Sequence, residues 1–202
     1  GFNVTDGSIN LQESLPLNGA EVTTYTVVDE MKRLLAFGLS DGTVLFAKYG
    51  YDVSYPNDVR TISPKVTYPF GEEPIEIANG PITKLALKTS DSELLVAYKV
   101  NGSKEINVAL FSKIESMLSD SITLEEDSSG SFKTTTDTEW LMIDSSGRNL
   151  YSITKEGEAS YYNIADIENP EIIQNVSLMS GEEKPTTIRF LLGNYSLMIG
   201  TN

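Results

Sequence analysis

Apolar and β-branched residues fall along this chain in short bursts, and turn residues separate them. The clearest burst is Leu34–Phe46, LLAFGLSDGTVLF, in which two apolar runs flank Asp41-Gly42. An Asp-Gly pair between β-rich runs predicts a tight hairpin, because the favoured turns need positive φ and glycine supplies it without steric cost. The pattern returns at Leu94–Phe111 around Asn101-Gly102 and at Leu150–Ile164 around Glu156-Gly157. A fourth copy starts at Leu197 and reaches Asn202, where its turn is due. The leading leucines 34, 94, 150 and 197 recur at spacings of 60, 56 and 47 residues.

Each hairpin has flanking strand signals. Thr23–Val28 precedes the first, and Thr61–Tyr68 follows it as an edge strand, a place that tolerates Pro64. Tyr49-Gly50-Tyr51 reads as the end of the hairpin, and Phe70 to Pro74 as a turn. Ile82, Leu85 and Leu87 mark the next strand. Residues 113–118 read as a helical turn in preference to a strand running on towards Ser121–Leu124, and 125–137 (EEDSSGSFKTTTD) as a polar linker. Glu139–Ile143, Glu171–Leu178 and Thr186–Leu192 complete the set, with Gly193-Asn194 as a turn.

These signals divide the chain into units at about 21–74, 75–127, 138–180 and a truncated 181–202, within one domain fragment. A lone β-meander cannot bury both faces, so neighbouring units stack. The expected fold class is all-β: a β-propeller-like (WD40-like) row of antiparallel meanders, incomplete or truncated. The spacings exceed the roughly 40–45 residues of a WD40 blade, which implies insertions in outer loops. Neither a Trp-Asp nor a Gly-His signature recurs. The turn-rich segment 1–20 is the candidate strand for closing a ring. The missing initiator Met and the stop inside a repeat read as a segment cut from a longer chain.

Composition narrows the chemistry. A net charge of −14, from 29 acidic and 15 basic residues, argues against nucleic acid and anionic membrane surfaces, both of which need clustered Lys and Arg. The chain has no His and no Cys. That excludes a thiol nucleophile, a Cys-type zinc site and a Ser-His-Asp triad. No apolar run reaches the 18 residues of a membrane span.

Several residues invite a functional reading. Asp120, Glu125, Glu126 and Asp127 crowd one segment; hard oxygen ligands suit calcium, but EF-hand spacing is absent and a solvated loop is the favoured reading. Glu72-Glu73 and Glu182-Glu183 read as charged turn residues. Tyr49 with Tyr51, and Tyr161-Tyr162, are candidate recognition patches, weighed against the commoner core role of aromatics. Asn3, Asn101, Asn175 and Asn194 begin glycosylation acceptor triplets, which chance supplies readily in so Asn-, Ser- and Thr-rich a chain. No phosphate-binding glycine motif occurs. No catalytic, cofactor-binding or metal-ligating residue is assigned, and the chain is expected not to be an enzyme.

Two stretches resemble a known family. Leu34–Tyr49 (LLAFGLSDGTVLFAKY) and Thr186–Asn202 (TTIRFLLGNYSLMIGTN) are similar to segments of the WD40-like periplasmic insert of large bacterial phosphate ABC transporter permeases. The resemblance covers about 30 residues, and only the repeat rhythm elsewhere. It implies a non-catalytic domain on the periplasmic side of the inner membrane, whose parent protein imports phosphate. Its implied partners are other transporter subunits and a periplasmic phosphate-binding protein. Membrane contact would come only through helices of the parent chain. The alternative is a stand-alone propeller scaffold for protein–protein interaction. An incomplete ring also leaves open sheet edges, through which a homodimer is conceivable.

Overall fold

The computed structural model describes residues 14–29, 33–116, 121–134, 137–191 and 196–202. Among these residues, fifteen strands make four antiparallel sheets in chain order. The first holds β1 (Val22–Asp29), β2 (Leu34–Leu39), β3 (Thr43–Ser54), β4 (Thr61–Thr67) and the short β5 (Ile75–Glu76). The second holds β6 (Ile82–Thr89), β7 (Glu93–Val100), β8 (Glu105–Glu115) and β9 (Ile122–Lys133). The third holds β10 (Trp140–Ile143), β11 (Asn149–Ile153), β12 (Glu158–Asn163) and β13 (Glu171–Ser177), and the fourth β14 (Pro185–Phe190) with β15 (Leu197–Thr201). Within the second and third sheets, strands pair strictly in sequence order. The described residues thus form an all-β, propeller-like row whose ring is incomplete.

The three predicted hairpin turns form where the sequence puts them. Gly42, Gly102 and Gly157 all have positive φ, at 92°, 74° and 87°. Gly42 has a second constraint. A Cβ there would lie 2.0 Å from the Ala78 carbonyl oxygen, and the Gly42 carbonyl accepts from the amides of Ile77 and Ala78. The turn of the first hairpin is therefore also the anchor for the connection into the second sheet.

Side-chain alternation explains the stacking. Leu94 and Val96 of β7 face the first sheet, where Leu34, Ala36, Val44 and Phe46 meet them. Leu95 and Ala97, on the opposite face, meet Leu141, Ile143 and Leu150 of the third sheet. Both faces of β7 are covered, so its sequence is a continuous apolar run rather than an alternating one. A third cluster, with Ile153, Ala159 and Ile188, joins the third sheet to the fourth. The inner strands β1, β6 and β10 lie side by side. Thr23 ties the first two by donating to the carbonyls of Ile82 at 2.6 Å and Gly38 at 2.9 Å, and Lys84 pairs with Glu139 at 3.2 Å across the next junction.

Three expectations need correction. β3 does not end at Tyr49-Gly50-Tyr51; it runs on to Ser54, paired with β4 from Lys48↔Thr67 to Ser54↔Thr61. Residues 113–115 are strand, not a helical turn: β8 continues to Glu115, opposite Ile122. The segment 125–137 is not a linker over most of its length, because β9 follows β8 as far as Lys133, opposite Glu105. In each case a neighbouring strand supplies a ladder of backbone hydrogen bonds that makes the side-chain pattern secondary. Gly130 adds a packing reason, since a Cβ there would stand 2.1 Å from the Ile167 carbonyl oxygen of the third sheet's loop. Most of segment 1–20, and the Gly193-Asn194 turn, lie outside the described residues.

Candidate functional site

The outer half of β3 and the whole of β4 leave the body of the first sheet as a two-stranded arm. The two strands are joined through a tight turn at Pro56–Asp58, in which Asn57 and Asp58 take φ of 53° and 62°. Tyr49, Tyr51, Val53, Tyr55, Val59 and Ile62 of this arm are all exposed, Tyr55 to 64%. Among the described residues, two side-chain contacts stand out in the arm, besides a local bond from the Thr61 hydroxyl to the Val59 carbonyl. The Arg33 guanidinium lies 5.0 Å from the centroid of the Tyr51 ring, and Lys65 pairs with Asp52 at 3.3 Å. The first holds one aromatic in place; the second is a surface pair of little energetic weight.

At the root of the arm a cavity of about 240 Å³ opens between the first and second sheets. Lys48, Pro69 and Phe70 line it from one side, Lys113 and Ile122 from the other. The Lys113 ammonium sits 5.8 Å from the Phe70 ring centroid and donates to the Thr89 hydroxyl and the Ser90 carbonyl. Phe70 in turn packs edge-on against Phe46, 5.0 Å between centroids, so the cavity floor belongs to the core.

The other sequence candidates disperse. Tyr161 and Tyr162 point to opposite faces of β12. Tyr162 is buried against Phe132 at 4.4 Å, while Tyr161 stacks on Tyr151 at 5.1 Å and donates to Asn149. Both serve packing. Glu125, Glu126 and Asp127 sit on β9 rather than in a loop; Ser129 donates to Glu126 and Ser112 to Asp127. Asp120 lies outside the described residues. Among the described residues, no group of three or more acidic side chains is placed to hold a metal ion. Glu73 accepts from Asn18 at 2.7 Å, and Glu182-Glu183 are exposed beside the turn at Gly181. Asn101 is exposed at its turn, and Asn175 accepts from Ser160 on an exposed edge strand; Asn3 and Asn194 lie outside the described residues.

One residue escaped the sequence reading. Asp144 is buried at the end of β10, and its carboxylate accepts from the Ser146 hydroxyl at 2.8 Å, the Asn149 side chain at 2.7 Å, and the amides of Arg148 and Asn149. Asn149 then accepts from Tyr161. The Asp-Ser-Ser-Gly run after β10 was the available signal, since a carboxylate before such a turn commonly binds the turn's own amides.

The titration shifts that stand out belong to buried phenols. Tyr98 is raised by burial and then by the Glu126 carboxylate; its hydroxyl donates to the Ile77 carbonyl at 2.6 Å. Tyr151 is raised by burial first, then by Tyr161 and Asp144. Tyr162 is raised by burial, with Ser160 acting the other way. All three belong to the packed body. They remain neutral hydrogen-bonding groups at ordinary pH and are not poised as acids or bases.

No protein-family model matches the chain, and no curated protein matches it. Among solved structures, it is similar to a chain of the mitotic checkpoint complex, with 11% identity and a TM-score of 0.49, over 98% of this chain and 49% of that one. It is also similar to the β-propeller domain of Myceliophteria thermophila Cps50 (Swd1), with 15% identity and a TM-score of 0.46, over 91% of this chain and 54% of that one. The chain spans about half the length of these structures. Neither likeness carries an argument about function, and the fold rests on the strand pairing above. The transporter resemblance of residues 34–49 and 186–202 finds no counterpart in these comparisons.

Proposed function

We propose that this chain is a non-catalytic protein-interaction module that engages a protein partner through the aromatic arm of β3 and β4. The observation that carries the reading is the exposure of Tyr49, Tyr51, Val53, Tyr55, Val59 and Ile62 together on one projecting hairpin. Solitary exposed apolar residues are ordinary, whereas a contiguous group on a projecting element is what interaction sites look like. Tyrosine suits the role, offering a large amphipathic contact for two rotatable bonds. The absence of His and Cys supports the non-catalytic part of the reading.

A photo-crosslinking phenylalanine analogue at Tyr51 tests it. Expressed in the source cells, the chain is expected to give a discrete protein adduct from position 51. The same analogue at Ile173, exposed on β13, should give none. Absence of any adduct from position 51 overturns the reading.

The narrower reading, a periplasmic domain of a phosphate-type ABC permease, rests on the two resembling segments alone. It names the partner as a periplasmic phosphate-binding protein or another transporter subunit. A pull-down with that binding protein, with and without phosphate, is the direct check, and no association in either condition counts against it.

A further inference from the structure

β3 begins at the Gly42 turn and runs away from it into the arm. The end it leaves, where β7 reaches the Gly102 turn and β11 the Gly157 turn, gathers lysines. Lys84 of β6 and Lys99 of β7 are register partners. Both lie on the face turned to the third sheet, Lys99 in line with Leu95 and Ala97, and Lys84 in line with Ala86. Cross-strand partners stand about 5 Å apart at Cβ, and like charges so placed repel. Lys84 pairs with Glu139 at 3.2 Å, and Lys155, beside the Gly157 turn, reaches the same carboxylate oxygen at 3.9 Å. One carboxylate thus serves two ammonium groups. The third has none: Lys99 is only 7% exposed, yet among the described residues its ammonium makes no hydrogen bond or ion pair.

A lysine held this way departs from the rule that a buried charge is paired. Its stem is fixed by packing. Among the described residues no fully buried side-chain nitrogen lacks a partner, so the Lys99 ammonium emerges at the mouth of the seam between the two sheets. There Lys84, Lys99 and Lys155 set three positive charges against the single negative charge of Glu139, in a chain of net charge −14. The other carboxylates of this end, Asp137, Glu156 and Glu158, are exposed and pair with none of the three lysines among the described residues. We propose that this seam binds a small doubly charged oxyanion, with Lys99 as its fixed ligand and Lys84 and Lys155 meeting it from the Glu139 side. The surplus of positive charge sets the charge of the ligand, and the buried stem spares most of the side-chain entropy that a free lysine would lose on binding. The site is separate from the arm, so its failure leaves the proposed function untouched.

Amide shift titration of the purified chain tests this with two probes, sulfate for a tetrahedral oxyanion and malonate for a dicarboxylate. Each is taken to about 20 mM, with chloride holding the ionic strength constant. Saturable shifts are expected at Lys84, Lys99 and Glu139, with a dissociation constant of about 1 mM or below. Saturation by one probe alone gives the shape of the anion. Lys99→Met keeps the buried stem and removes the charge, and should weaken binding at least about tenfold. Lys155→Glu, on an exposed turn, reads the same site without touching the packed stem and should weaken binding as well. No saturable shift from either probe overturns the proposal. Shifts that survive Lys99→Met unchanged mark an adventitious ion only and overturn it too. Parental affinity in Lys155→Glu overturns the three-lysine geometry.

Discussion

Two halves of one strand live in different surroundings. In β3, Val44, Leu45, Phe46 and Ala47 are buried, and residues from Lys48 onward are exposed or nearly so. The inner half pairs with β2 on one side, and the second sheet covers one of its faces through Val44 and Phe46. Beyond Lys48, the outer half has β4 as its only partner strand among the described residues. Every residue of both halves has a partner in a ladder, β2 or β5 in the inner half and β4 in the outer. What changes is whether another sheet covers the face. Strand formation and burial are thus separate events here: the first follows from a neighbour in the ladder, the second from stacking. A residue such as Tyr51 can be fully committed to the ladder and still be free to serve recognition.

Substitutions that divide body from arm test this contrast, and the largest effect belongs to the body. Leu94 is fully buried between the first two sheets. Leu94→Ala is expected to lower stability by about 3 kcal/mol in urea denaturation, from lost transfer energy plus a cavity. Next comes Asp144→Ala, which removes a buried carboxylate that accepts from two amides and two side chains of its partly exposed turn; the expected loss is about 2 kcal/mol by the same measurement.

Tyr98→Phe removes the donor to the Ile77 carbonyl and is expected to cost about 1 kcal/mol near neutral pH. It also carries a pH signature. The folded chain holds the Tyr98 proton more firmly than the unfolded one, whose phenol titrates at the ordinary 10.0. The stability this contributes is complete below that pH and is lost as pH rises through the higher folded-state value. Chemical denaturation across this alkaline range should therefore fall less steeply for the Phe variant. Smallest of all is Tyr51→Ser in the arm, expected within about 0.5 kcal/mol of the parent. A loss as large as that of Leu94→Ala would show the arm to be part of the core and end the distinction.

The hairpins were legible because their signal is local. Gly42, Gly102 and Gly157 are needed for backbone conformations that other residues resist, and no distant contact is required to read them. The apolar run Leu94 to Ala97 was equally plain, since a strand covered on both faces writes its burial into consecutive residues. β9 was not legible. Glu125 to Lys133 contains little apolar alternation, and its strand character comes from lying along β8, an arrangement that appears only when two segments distant in sequence are brought together. The end of β3 was misjudged for the same reason: Gly50, Asp52 and Ser54 look like a loop until β4 is placed beside them. Of the candidate site, Tyr49 and Tyr51 were visible as a patch, whereas Tyr55, Val59 and Ile62 joined it only once the arm was seen to fold back. Tyr161 and Tyr162 show the reverse, two adjacent aromatics that strand alternation sends to opposite faces.

The break between β4 and β5 has a consequence for how the molecule breathes. β4 lets go of β3 at Thr67, β5 rejoins it only at Ile75 opposite Val44, and Phe70 fills the gap from above. The far edge of β3 is thus stapled in two independent pieces. Amides of the arm can exchange with solvent through a local opening that leaves the inner piece closed, whereas those of Val44 to Ala47 must wait for the stacked sheets to part. Hydrogen exchange should therefore show a step in protection within a single strand, near Lys48: a slow clock on the core side, a fast one on the solvent side.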